Sequence, residues 1–142
     1  MFDQTVKPER YSGYHTAVDF EILSGEEKTA VPVTAICGGR ILIKRRISGY
    51  GGVLVQSCRL ENQEVAVLYG HLALSSIKQN PGVTLKTGDY IGDLGPGFSD
   101  DTDGERKHLH LGIHRGTKIE YRGYVQKNSE LTGWLDYLTL IK

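Results

Sequence analysis

What this chain has little of bounds it first. It carries only two cysteines, one methionine, one tryptophan and four prolines. Two cysteines make neither a disulfide framework nor a thiolate zinc site. Cys37 and Cys58 each sit among apolar residues of strand character and read as two small buried hydrophobes. Long hydrophobic runs are missing: no 18 consecutive residues are apolar, so no helical membrane span is expected. An excess of one charge is also missing, with 17 Lys and Arg against 17 Asp and Glu. That balance argues against nucleic acid, because phosphate binding depends on clustered cations. The one dense basic run, Lys44-Arg45-Arg46, reads as a solvated strand end. Met1 to Pro8 holds no apolar stretch, so no signal peptide is expected there.

What is present points to strands. There are 18 glycines among 142 residues, which favours many tight turns in one domain with a real core. Val18, Phe20 and Ile22 alternate with neighbours of the other face, just after His15. Val31 to Ile43 is β-branched and broken by Gly38-Gly39, which predicts two strands meeting at a bend. Ser48 to Gly52 is a turn, Val53 to Leu60 its returning strand, and Val65, Val67 and Tyr69 lead to Gly70-His71. Residues 73–80 predict one short helical turn. Val33 to Ile41 and Val83 to Ile91 share Val, Thr, Gly and Ile at matching places, a weak internal repeat. Trp134, Leu135, Leu138 and Leu140 predict a short amphipathic turn packed on the sheet. The whole reads as a single all-β domain, 1–142, with little helix.

Within that frame, His108-Leu109-His110-Leu111-Gly112-Ile113-His114 alternates strictly. Leu109, Leu111 and Ile113 take one side, and the imidazoles take the other. One histidine on a polar strand face is usually a surface residue; His-x-His on a clean strand favours a metal or acid–base site. His15-x-x-x-Asp19 is weak alone. On a regular strand the pair would stand roughly 13 Å apart, whereas groups sharing an ion must converge, so the chain has to bend between them. His71, at a strand end, is likewise unremarkable by itself. Together, four imidazoles and one carboxylate suffice for three ligands of a zinc ion with an open fourth position, and two spare groups for proton transfer.

His15-x-x-x-Asp19, Tyr69-Gly70-His71-Leu72 and His108-Leu109-His110, in that order, resemble the signature of the LytM/lysostaphin-type zinc metallopeptidases. Gly49-Tyr50-Gly51-Gly52-Val53 and Gly82 to Gly92 resemble that family's intervening segments, so the similarity runs from about residue 13 to 115, with 116–142 as an extension packed on the core. The resemblance implies a two-sheet β-sandwich, like a barrel-sandwich hybrid, with the groove on one sheet. It implies one Zn2+ held by His15, Asp19 and His110. It implies His71 and His108 as the catalytic imidazoles that assist a zinc-activated water in attacking the scissile carbonyl. His114 has no counterpart and is expected to be structural or at the surface. The implied substrates are stem or cross-bridge peptides of peptidoglycan, which implies a periplasmic or extracellular place of work for what is expected to be a monomer.

No Glu accompanies these motifs, in contrast to the His-Glu-x-x-His helix, so an imidazole must serve as general base. The departure from the family is Ser99 to Lys107, charged where the family has a small turn and Gly-Pro. Placed on a calcium loop with Gly104 at its sixth position, the segment would begin at Ser99 and end at His110, and the pattern fails; a solvated loop is expected. Two other functions compete. A non-catalytic peptidoglycan-binding or hydrolase-activating domain of the same fold would be expected to lose ligands, and none is lost here. A swinging-arm carrier would need a Met-Lys-Met-like turn, and the only methionine is Met1. In an ordinary hairpin turning at Gly49-Tyr50, Cys58 opposes a residue near Ile41, so no disulfide to Cys37 is expected.

Overall fold

The computed structural model describes residues 14–121, 124–125 and 128–140. Its strands are β1 (Tyr14–His15), β2 (Ala17–Glu21), β3 (Pro32–Thr34), β4 (Gly39–Ile47), β5 (Gly51–Leu60) and β6 (Gln63–Leu72), followed by β7 (Thr84–Leu85), β8 (Tyr90–Asp93), β9 (His108–Arg115), β10 (Tyr124–Val125) and β11 (Trp134–Leu135). The one α-helical segment among the described residues, α1 (Tyr137–Leu140), is a single turn, and no helix there is long and apolar enough to cross a membrane. The main sheet runs β11-β9-β6-β5-β4-β7, with β2 also paired to β9; β3 and β8 form a second, smaller sheet. The fold is all-β and two-layered, as the sequence predicts.

The main sheet is buried on both faces, which is why β5 and β6 show no polar alternation. On one face Leu54, Val67, Tyr69, Leu111 and Ile113 pack with Val33 and Ile91 of the small sheet. On the other, Val53, Val55, Ala66 and Leu68 pack with Tyr50 and with Ile119 and Tyr121 from the segment after β9. The internal repeat has a structural meaning. Its two copies pair with each other antiparallel, from Ile41 with Val83, through Gly39 with Leu85, to Thr34 with Tyr90. Each copy spans both sheets, so the pair stitches the two layers together.

Three expectations are corrected. Cys37 and Cys58 form a disulfide, with Cα atoms 6.1 Å apart. The register explains it: the turn is Ser48-Gly49-Tyr50, pairing Ile47 with Gly51, and an irregularity between Ile41 and Ile43 leaves Leu42 out of the ladder. Cys58 therefore opposes Gly39 rather than Ile41, two residues from Cys37. The charged segment is not a solvated loop. It forms a 3-10 turn (Asp100–Thr102) closed by a Ser99/Thr102 capping box, with Thr102 fully buried. Asp101 Oδ1 accepts from Arg46 and from the Leu74 amide, and Asp103 Oδ2 accepts from the Gly49 amide. Gly51 is required beneath it: at φ 75° with the Asp101 carbonyl oxygen 2.0 Å from where a Cβ would stand, no side chain fits. Finally, the tail is only partly helical, because Trp134-Leu135 adds an edge strand to β9. Tyr11-Ser12-Gly13, a turn signal in the sequence, lies outside the described residues.

Candidate metal centre

The five groups named by the sequence meet on one face of the main sheet. Register does most of the work. β2 and β9 pair so that Asp19 lies opposite His110 and Glu21 opposite His108, and directly opposed side chains stand within reach of one another. Gly70 of β6 flanks His110 on the other side. A Cβ at Gly70 would come within 3.3 Å of the His110 Cβ and 3.1 Å of the Tyr50 ring, so the glycine makes room for both. His15 arrives by the bend that the four-residue spacing demands. β1 pairs with β10 while β2 pairs with β9, and the chain changes partner at the fully buried Thr16. His71, one residue before the end of β6, lies in the left-handed region at φ 65°, uncommon for a residue other than glycine. It is held there by its N–H donating to the Tyr50 carbonyl and its own carbonyl accepting from Gly95.

Three donor atoms converge. Asp19 Oδ1 lies 3.3 Å from His110 Nδ1 and 3.5 Å from His15 Nε2, and the two nitrogens are 3.3 Å apart. Ligands about 2.0–2.1 Å from a tetrahedral ion stand roughly 3.3–3.4 Å from each other. The triangle therefore has the size that one zinc ion requires, and two imidazoles with a carboxylate are a zinc donor set. Asp19 Oδ1 is buried with no conventional hydrogen-bond partner, as is His71 Nδ1, and an orphaned buried carboxylate oxygen calls for a cation.

The charge states suit this. Burial pushes the Asp19 carboxyl up, but the imidazoles of His110, His15 and His108 outweigh burial and hold it well below the usual carboxylate range. Burial lowers His71, helped by the charges of His108 and His110, to about 3, and burial likewise lowers His108. Both are thus neutral at pH 7. His108 Nδ1 is 2.8 Å from the Arg106 carbonyl, which can only accept, so the proton of the neutral ring sits on Nδ1. Its Nε2 is left facing the site, 3.7 Å from Asp19 Oδ1. The His71 and His108 rings lie side by side, centroids 4.4 Å apart. His114 stands apart from the cluster, edge-on to Trp134 at 4.8 Å, in keeping with a structural role.

Two participants escaped the sequence reading. Tyr50 forms a buried wall, its ring 4.8 Å from that of His110 and its hydroxyl donating to the Tyr121 carbonyl. Arg106, read as part of a solvated loop, forks onto Glu21 and reaches Asp19 Oδ2 at 3.6 Å. A cation two residues ahead of His-x-His was the available signal, visible only once the β2–β9 register is known.

The family model described as "Peptidase family M23" matches residues 13–121. The chain belongs to peptidase family M23. As an M23 domain it shares the lysostaphin-type fold. It is 20% identical to the catalytic domain of the antimicrobial peptidase lysostaphin from Staphylococcus simulans, with a TM-score of 0.61 over 89% of this chain and 77% of that one. LytU matches at 18% identity and a TM-score of 0.64, over 95% and 79%. CbpA from L. salivarius REN matches at 25% and 0.57, over 90% and 73%. Comparison with curated protein sequences gave no match.

Proposed function

We propose that this M23 domain is a zinc-dependent endopeptidase that cleaves stem or cross-bridge peptides of peptidoglycan, working as a monomer in the cell envelope. The observation that carries the proposal is the triangle of His15 Nε2, Asp19 Oδ1 and His110 Nδ1, sized for one tetrahedral ion and including an ionised carboxylate. When bound there, zinc supplies Lewis-acid polarisation of a carbonyl and activation of water near neutral pH.

The chain's own residues supply the rest. His15, Asp19 and His110 would hold the ion. His108, pinned through Nδ1 to the Arg106 carbonyl, presents the lone pair of Nε2 and takes a proton there. His71, kept neutral by burial, offers a ring N–H to the developing oxyanion. Because the His108 ring is fixed by the Arg106 carbonyl and the His71 backbone by Tyr50 and Gly95, little reorganisation is needed as charge develops. Buried Tyr50, packed against His110, excludes water from one flank. The Cys37–Cys58 disulfide supports work in an oxidising compartment, as a peptidoglycan substrate requires.

The test is digestion of purified peptidoglycans of different cross-bridge types, with mass spectrometry of the released fragments. New amino and carboxyl ends within peptide bridges, abolished by a chelator and restored by zinc, are the expected result. Intact peptides from every wall type would refute the substrate class.

A further inference from the structure

Arg106 offers its carbonyl to His108, but its side chain reaches the site by a second route. Nε donates to Glu21 Oε1 at 2.8 Å and Nη2 to Glu21 Oε2 at 2.5 Å, a two-pronged fork that fixes the plane of the guanidinium. From that fixed position Nη2 lies 3.6 Å from Asp19 Oδ2. Glu21 and Asp19 are two apart on β2 and so share a face. The Asp19 carboxylate is thereby divided: Oδ1 faces the three imidazole nitrogens, and Oδ2 faces the guanidinium.

We propose that Arg106 is a positioning residue for the metal site, locking Asp19 so that it presents one oxygen, Oδ1, to the ion while Oδ2 is held away. The inference rests on the zinc-site reading above. A carboxylate free to turn about its Cβ–Cγ bond can offer both oxygens and occupy the position a substrate needs. Drawing Oδ2 to a fixed cation removes that freedom. Glu21 has two effects. It orients the guanidinium, and it cancels the positive charge, so that Arg106 can stand beside a cation site at little electrostatic cost. Lysine cannot replace this device, because an ammonium has no rigid fork with which to bind Glu21 while turning toward Asp19.

The experiment compares Arg106→Ala, Arg106→Lys and Glu21→Ala with the unaltered chain. Zinc affinity is measured by competition with a chromogenic chelator, and the visible absorption of the Co2+-substituted proteins reports coordination number, since four-coordinate Co2+ absorbs much more strongly than higher-coordinate forms. The Arg106 side chain is 41% exposed, so its removal leaves the core intact, as circular dichroism will verify. Arg106→Ala is expected to bind zinc 10–100-fold more weakly, the usual effect of losing an outer partner of a ligand, with a weakened Co2+ band. Arg106→Lys should recover neither property, and Glu21→Ala should fall between. Unchanged affinity and spectrum in Arg106→Ala, or full recovery of both by lysine, overturns the positioning role alone. Failure of the unaltered chain to bind zinc overturns the metal-site reading and this inference with it.

Discussion

The two faces of β9 repay comparison. Leu109, Leu111 and Ile113 point into the layer between the sheets, where they meet Val67, Tyr69 and Leu135. His108 and His110 point the other way, and they too are almost wholly buried. One strand with one period thus carries two interiors, one apolar and one polar. The apolar face is satisfied by contact alone. The polar face leaves Asp19 Oδ1 and His71 Nδ1 without hydrogen-bond partners, a desolvation cost that a bound cation or polar ligand would offset. Both faces hide their side chains, but only one is built to receive something.

The sharpest break in that comparison is on the polar face. His71→Ala and His108→Ala should each keep the metal and lose turnover by about 10²–10⁴-fold, the size of one acid–base or oxyanion contact. Their unfolding midpoints should change little beside that loss; a variant that loses metal instead is a ligand, and its role has been misassigned. On the apolar face the effect should reverse. Leu111→Ala should cost about 2–5 kcal/mol in denaturant unfolding while the folded protein still binds one zinc.

Next in size is the disulfide at the edge of the apolar layer. It closes a loop with a sequence separation of 21, so replacing both cysteines by serine should cost about 3 kcal/mol, with metal content unaffected. An unchanged melting temperature in the double variant would mean the bond contributes nothing to stability.

The smallest effect is in acid. His71 titrates near 6.5 when unfolded and at about 3 when folded. Between those values the unfolded chain binds more protons, so stability is full above pH 6.5 and declines as pH falls toward 3. Buried His108, shifted the same way, adds to that slope. The metal-free protein, melted between pH 7 and 4.5, should lose stability steadily. His71→Gln should show a shallower slope, and an equal slope would contradict the neutral burial of His71.

Much of this was legible in advance where one residue's identity decides a local outcome. The alternation of β9, the glycine punctuation and the paired repeat copies all gave elements of the right kind in the right order. The three residues of the metal triangle were legible through the likeness of their motifs to a family signature, since the spacing of His15 and Asp19 is weak by itself; the fold brings their donor atoms together. What was not legible depends on register. The disulfide needs Leu42 to drop out of the β4–β5 ladder, and no residue there announces it. Arg106 gains meaning only when β2 lies against β9 with Glu21 opposite His108. The charged loop looked solvated because the amides that its aspartates accept from, at Gly49 and Leu74, lie about 25 to 55 residues earlier in the chain.

The central claim is that His15, Asp19 and His110 hold one zinc ion and that no other imidazole does. Elemental analysis of purified, folded protein tests it most directly. The unaltered chain, His71→Ala and His108→Ala should each carry one zinc per chain, and His110→Ala should carry none, because two remaining ligands rarely retain the ion. Stoichiometric zinc in His110→Ala, or a metal-free His108→Ala, would contradict the account.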